Sequence, residues 1–90
     1  MDGLALTVLK DTLNRVTELT KTEGSCGMLD CVTAVQGYTE LCAIDPTNVC
    51  YPQKLRRAMS DLAVIVEEKQ EYLLANRLMM IASLIPPAHC

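Results

Sequence analysis

The chain has 90 residues, half of them hydrophobic, and a formal net charge of −3. So short a chain forms one domain whose core is thin or is completed by a partner. The negative balance disfavours nucleic acid, because duplex binding draws on Lys and Arg to neutralise phosphates. The only aromatic residues are Tyr38, Tyr51 and Tyr72, too few to form stacking platforms for single strands.

No membrane span is expected. The longest unbroken apolar runs, 62–66 and 78–82, fall far below the ~18 residues a span requires. Asp2 stands where a signal peptide would carry positive charge, and Lys10, Asp11 and Arg15 interrupt the apolar pattern that follows.

The fold class expected is all-α. A first helix is predicted over about 3–21, with Asp2 as its N-cap and Gly24 ending it. Leu6, Leu9, Leu13 and Val16 recur at steps of three and four, and Leu4, Val8 and Leu19 widen the stripe. A second helix is predicted over about 26–43, capped by Ser25, with Met28, Val32, Val35 and Cys42 along one side. Gly37 lies inside it and suggests a close helix crossing or a bend, since glycine costs about 1 kcal/mol in a helix interior. The segment Asp45-Pro46-Thr47-Asn48 reads as a turn in which Asp45 or Asn48 bonds to nearby amides.

The third segment holds no Gly or Pro from Gln53 to Ile85. It is predicted as one long helix over about 52–85, with Pro52 in its first turn. Leu55, Met59, Leu62 and Val66 form its first seam. A wholly polar insert, Glu67 to Glu71, either faces solvent or marks a break, and the absence of a breaker residue favours continuity. Leu73 to Ile85 is apolar nearly all round, more than two short helices can cover. The expectation is therefore a three-helix protein, two short helices packed on one long C-terminal helix, assembled as a dimeric bundle.

Little here suggests chemistry. The five cysteines, 26, 31, 42, 50 and 90, are odd in number and lack CxxC spacing, so most are expected to be reduced thiols in a cytoplasmic protein. A Cys42–Cys50 disulfide across the turn is the sharper alternative. No metal site or cofactor is expected from this spacing. No catalytic residue is assigned either, because the only His is His89, near the end of the chain, and a base must be held within hydrogen-bond reach of its proton.

What remains is binding. Lys54, Arg56 and Arg57 stand at the start of the third segment, where cations oppose the helix dipole. Pairing of Arg57 with Asp61, and of Lys54 or Arg56 with Glu40 or Asp45, accounts for them locally, and an acidic protein partner is the functional alternative. Leu73, Arg77, Met80, Ile81 and Leu84 are the candidate partner surface on the apolar end. The function expected is that of a non-enzymatic regulator or inhibitor that sequesters a larger protein through its C-terminal helix. The alternatives are a small secretion or assembly chaperone covering an apolar client helix, and a helix-turn-helix DNA binder using Lys54, Arg56 and Arg57.

Overall fold

The computed structural model describes residues 3–23 and 26–86. They form four helices, α1 (Gly3–Glu23), α2 (Cys26–Ile44), α3 (Cys50–Glu68) and α4 (Tyr72–Ser83), with no strand among the described residues. The first two match their expected bounds to within two residues. The caps expected at Asp2, Gly24 and Ser25 lie outside the described residues.

The long third helix is the main correction, because it is two helices. α3 ends in a Schellman arrangement: the Gln70 N–H donates to the Glu67 carbonyl at 2.9 Å and the Glu71 N–H to the Val66 carbonyl at 3.2 Å. The residue that turns the chain is Gln70, with φ of +66°. Glycine is the usual occupant of that left-handed position, which is why the sequence shows no breaker. A non-glycine residue there costs about 1–2 kcal/mol. Folding back buries Leu74, Ala75, Leu78, Ile81 and Ala82. Burying each of the three large side chains contributes about 1.5–3 kcal/mol, so the reversal wins comfortably.

α4 therefore runs antiparallel to α3, and the Gln53 side-chain amide near the start of α3 donates to the Pro86 carbonyl at 2.6 Å. Contacts join α1 to α2, α2 to α3, α3 to α4 and α4 back to α1. The result is a ring of four helices in place of two short ones laid on a long one. Its extents are 37 × 22 × 20 Å.

The core lies inside this ring. It draws Leu9, Leu13 and Val16 from α1, Met28, Val32 and Val35 from α2, Leu55, Met59, Leu62 and Val66 from α3, and Leu74, Leu78 and Ile81 from α4. The expected seams of α2 and α3 are largely correct, although Cys42 is only half-buried. Two buried residues escape a hydrophobic pattern. Thr12 and Thr39 lie in the interior, their hydroxyls donating to the carbonyls of Val8 at 2.8 Å and Val35 at 2.7 Å. Each satisfies its polar atom on its own helix, so burial leaves no hydroxyl without a partner.

The turn before α3 forms as expected from its composition. The Asn48 side-chain oxygen accepts from the Cys50 N–H at 2.9 Å, and the Thr47 hydroxyl donates to Asp45 at 2.8 Å. Gly37, by contrast, marks no close crossing. α2 passes through it without interruption, and a Cβ built there meets nothing within 4 Å. Gly37→Ala is expected to stabilise the fold by about 1 kcal/mol, the helix-propensity difference. The check is a rise in the urea midpoint with unchanged slope.

Candidate protein-binding face

The reversal at Gln70 changes what α4 exposes. One side of the helix enters the core, and the other carries Leu73, Met80 and Leu84, which are 63%, 68% and 64% exposed. With the half-buried Arg77 they stand at positions i, i+4, i+7 and i+11. This spacing repeats every seven residues and keeps all four on one stripe, as in a helix that seats another helix. Ile81, grouped with these four on sequence, belongs instead to the core at 3% exposed.

α1 lies beside this stripe. Leu4 is 76% exposed, Val8 is partly exposed, and with Ala5 they form one wall of a groove of about 310 Å³ whose other wall is Met80, Ile81 and Leu84. Leu4 meets the end of α4, while Asp11, two turns further along α1, approaches Arg77 at 3.9 Å. α1 and α4 are therefore antiparallel. Asp11 also takes Arg15 at 3.2 Å. In this Arg15–Asp11–Arg77 set Arg15 and Asp11 are exposed and Arg77 is half-buried, so the pairs are largely screened by solvent and contribute at most about 1 kcal/mol to the fold. The face thus has an apolar end, made by Leu4, Val8, Met80 and Leu84, and a charged middle.

The basic residues lie elsewhere. Lys54 and Arg57 line an open depression of about 430 Å³ between α2 and α3, together with Asp30, Cys31, Tyr38 and Asp61. In the ring, the α2–α3 side is opposite the α4–α1 side, so the two groups of candidate residues do not form one surface. Arg56 does not line the depression. Among the described residues, none of the expected pairings of Lys54, Arg56 or Arg57 with Asp61, Glu40 or Asp45 closes to salt-bridge distance. The depression balances two cations with two carboxylates, which leaves no excess charge to hold a phosphate backbone.

Cys31 sits in this depression, half-buried. Burial raises its pKa, and the Asp61 and Asp30 carboxylates raise it further, so the group stays a thiol at neutral pH. That is the reverse of what activates a cysteine nucleophile. Cys42 is also a free, half-buried thiol whose pKa is raised chiefly by burial. Cys50 is disulfide-bonded, while Cys31 and Cys42 are the free thiols among the described residues. The expected alternative of a Cys42–Cys50 bridge is not formed, since Cys42 is free. Among the described residues no group of three or more His, Cys, Asp or Glu side chains is placed to hold a metal ion, and no helix is long and apolar enough to cross a membrane. His89 lies outside the described residues.

Of the five residues singled out on sequence at the apolar end, Leu73, Met80 and Leu84 are exposed, Arg77 is half-buried and Ile81 is buried, and the neighbouring α1 residues Leu4 and Val8 were not among them. Leu4 and Val8 had been absorbed into a wide core stripe. The signal lay in that width, because a helix of a small ring buries a narrow arc and leaves the flanks outside. Compared with known protein families, curated proteins and solved structures, the chain matches none.

Proposed function

We propose that the chain is a non-enzymatic protein-binding module, a small regulator that engages a larger protein by seating one of its amphipathic helices on the α1–α4 face. The observation that carries this reading is the seven-residue stripe of Leu73, Arg77, Met80 and Leu84 beside the exposed Leu4 and Val8. Large apolar side chains grouped in this way on a small domain mark an interaction surface more often than chance exposure does. The groove supplies apolar anchors, and Arg77 and Asp11 supply charges that set the direction of the incoming helix. The balanced charge of the α2–α3 depression makes DNA the poorer ligand.

In the absence of its target, the same face pairs with a second copy about a two-fold axis. Light scattering at about 100 µM is expected to give a dimer for the wild type and a monomer for Met80→Glu, because a buried carboxylate without a partner costs several kcal/mol. A wild-type monomer at that concentration removes the dimer. For the target, Met80→Glu used as bait is expected to lose a protein that wild type and Lys54→Glu both retain. Loss with Lys54→Glu and retention with Met80→Glu would move the site to the α2–α3 side.

A further inference from the structure

The depression between α2 and α3 carries its four charges in a fixed order. The two helices are joined by a short turn and pack on each other, so they run antiparallel. Lys54 and Arg57 lie toward the turn, level with Tyr38. Asp61 lies further along α3, level with Asp30 and Cys31 on α2. The Cys31 thiol marks this second end, because Asp61 and Asp30 both add to the rise that burial causes in its pKa. Arg57 precedes Asp61 by four residues and Lys54 precedes it by seven. At 1.5 Å per residue the cationic and anionic ends are therefore about 6–10 Å apart. Half-buried Ala34 and Ala58 line the space with them and present only methyl groups.

Neither end neutralises the other. Among the described residues, Lys54, Arg57, Asp30 and Asp61 close no ion pair, although Arg57 and Asp61 stand at the helical spacing that favours one. A singly charged occupant would be drawn to one end and repelled by the other. An uncharged one would leave both ends unmet. A second copy of the chain would match the charges when turned end for end, but two hollows of about 430 Å³ set face to face leave a void between them. The occupant that fits is narrow, carries one charge of each sign, and is apolar between them.

We propose that the α2–α3 depression binds a linear zwitterion, a carboxylate and an ammonium joined by an unbranched alkyl chain, as presented by a lysine at the end of a partner protein. From the terminal carboxyl carbon to the side-chain nitrogen such a lysine has six bonds of ~1.5 Å, which span about 7 Å when extended. That length falls within the separation of the two ends. The carboxylate meets Lys54 and Arg57, the ammonium meets Asp30 and Asp61, and the methylenes lie along Ala34, Ala58 and Tyr38. Opposite charges at the two ends fix the direction of the ligand and reject molecules with a single charge. This site lies across the ring from the α1–α4 stripe and stands or falls without it.

The smallest probe is 6-aminohexanoate, titrated into the isotope-labelled whole chain at matched ionic strength and followed by NMR. Saturable shifts are expected at the Ala34 and Ala58 amides, with a Kd in the millimolar range. Hexanoate and hexylamine, which each keep one charge, are expected to bind at least roughly two- to fivefold more weakly, the worth of one exposed ion pair. The peptide acetyl-Ala-Ala-Lys with a free carboxylate is expected to bind at least as tightly as 6-aminohexanoate, and its C-terminal amide to lose a similar factor. Asp61→Lys is the discriminating variant. Asp61 is exposed, so the helix is expected to remain folded, which the thermal melt checks. The variant turns the anionic end cationic and is expected to bind hexanoate ahead of 6-aminohexanoate. Shifts that do not saturate by about 50 mM, a half-ligand that binds wild type as tightly as the zwitterion, or an unchanged order in folded Asp61→Lys each overturn the site. A free-carboxylate peptide that binds more weakly than 6-aminohexanoate overturns the chain end as its ligand.

Discussion

Leu78→Ala is expected to lower the unfolding free energy by about 2–5 kcal/mol, the range for a truncated core leucine. Leu78 is fully buried where α4 faces the inside of the ring. A 90-residue domain has about 5–13 kcal/mol in total, so the loss is a large part of it. Leu73→Ala is the matched control. Its side chain is 63% exposed, and its substitution is expected to fall within about 0.5 kcal/mol of wild type. Urea unfolding of the two variants separates the possible geometries of this segment. In a long helix standing clear of the bundle, both leucines would face solvent in the monomer and both substitutions would be mild. Equal effects would therefore overturn the folded-back α4.

Gln70→Gly is expected to raise stability by about 1–2 kcal/mol, the cost that a side chain carries at φ of +66°. For a domain of this size the melting midpoint rises by about 4–8 °C per kcal/mol. The sign is the decisive part. Were residues 52–85 one continuous helix, the same substitution would place glycine in a helix interior and lose about 1 kcal/mol. The two geometries differ by at least about 2 kcal/mol at one residue, well outside the error of a thermal melt. Because Gln70 is exposed, no core packing is disturbed by the change and the backbone term is read directly.

The same residue shows where sequence reading stops. The stripes of α2 and α3 were legible because Met28, Val32 and Val35, and then Leu55, Met59, Leu62 and Val66, repeat at helical spacing. The turn at 45–48 was legible from Pro46 and Asn48. The reversal at Gln70 was not, since its left-handed residue has no local signature. It forms because the apolar side of α4 has a matching side of α3 to meet, and that match lies in the packing of two whole helices, not in the residues at the turn. Polar composition at 67–71 was the visible trace, and it was equally consistent with a wet helix surface. Thr12 and Thr39 were missed for a related reason, because a hydroxyl that bonds its own helix can enter a core. As for the candidate site, Leu73, Arg77, Met80 and Leu84 were visible as an excess of apolar surface around one arginine. Their division from Ile81 needed the direction in which α4 packs. The separation of Lys54 and Arg57 from that stripe needed the ring.

The closure between α1 and α4 also sets an order of assembly. α2, α3 and α4 each follow their neighbour through a short turn, so those contacts form between residues close along the chain and close quickly. The α1–α4 seam joins residues such as Leu4 and Leu84 from opposite ends of the sequence, and the entropy of closing that loop has to be met before any contact there contributes. α1 also packs more sparsely against both of its neighbours than α3 does against its own. Its detachment is therefore the lowest-energy opening of the ring, a partial unfolding that leaves the other three helices together. Leu9, Leu13 and Val16 leave the core in that state, and a cleft along the whole of α4 takes their place. Hence the wall most easily removed from the bundle is the one that borders the exposed stripe.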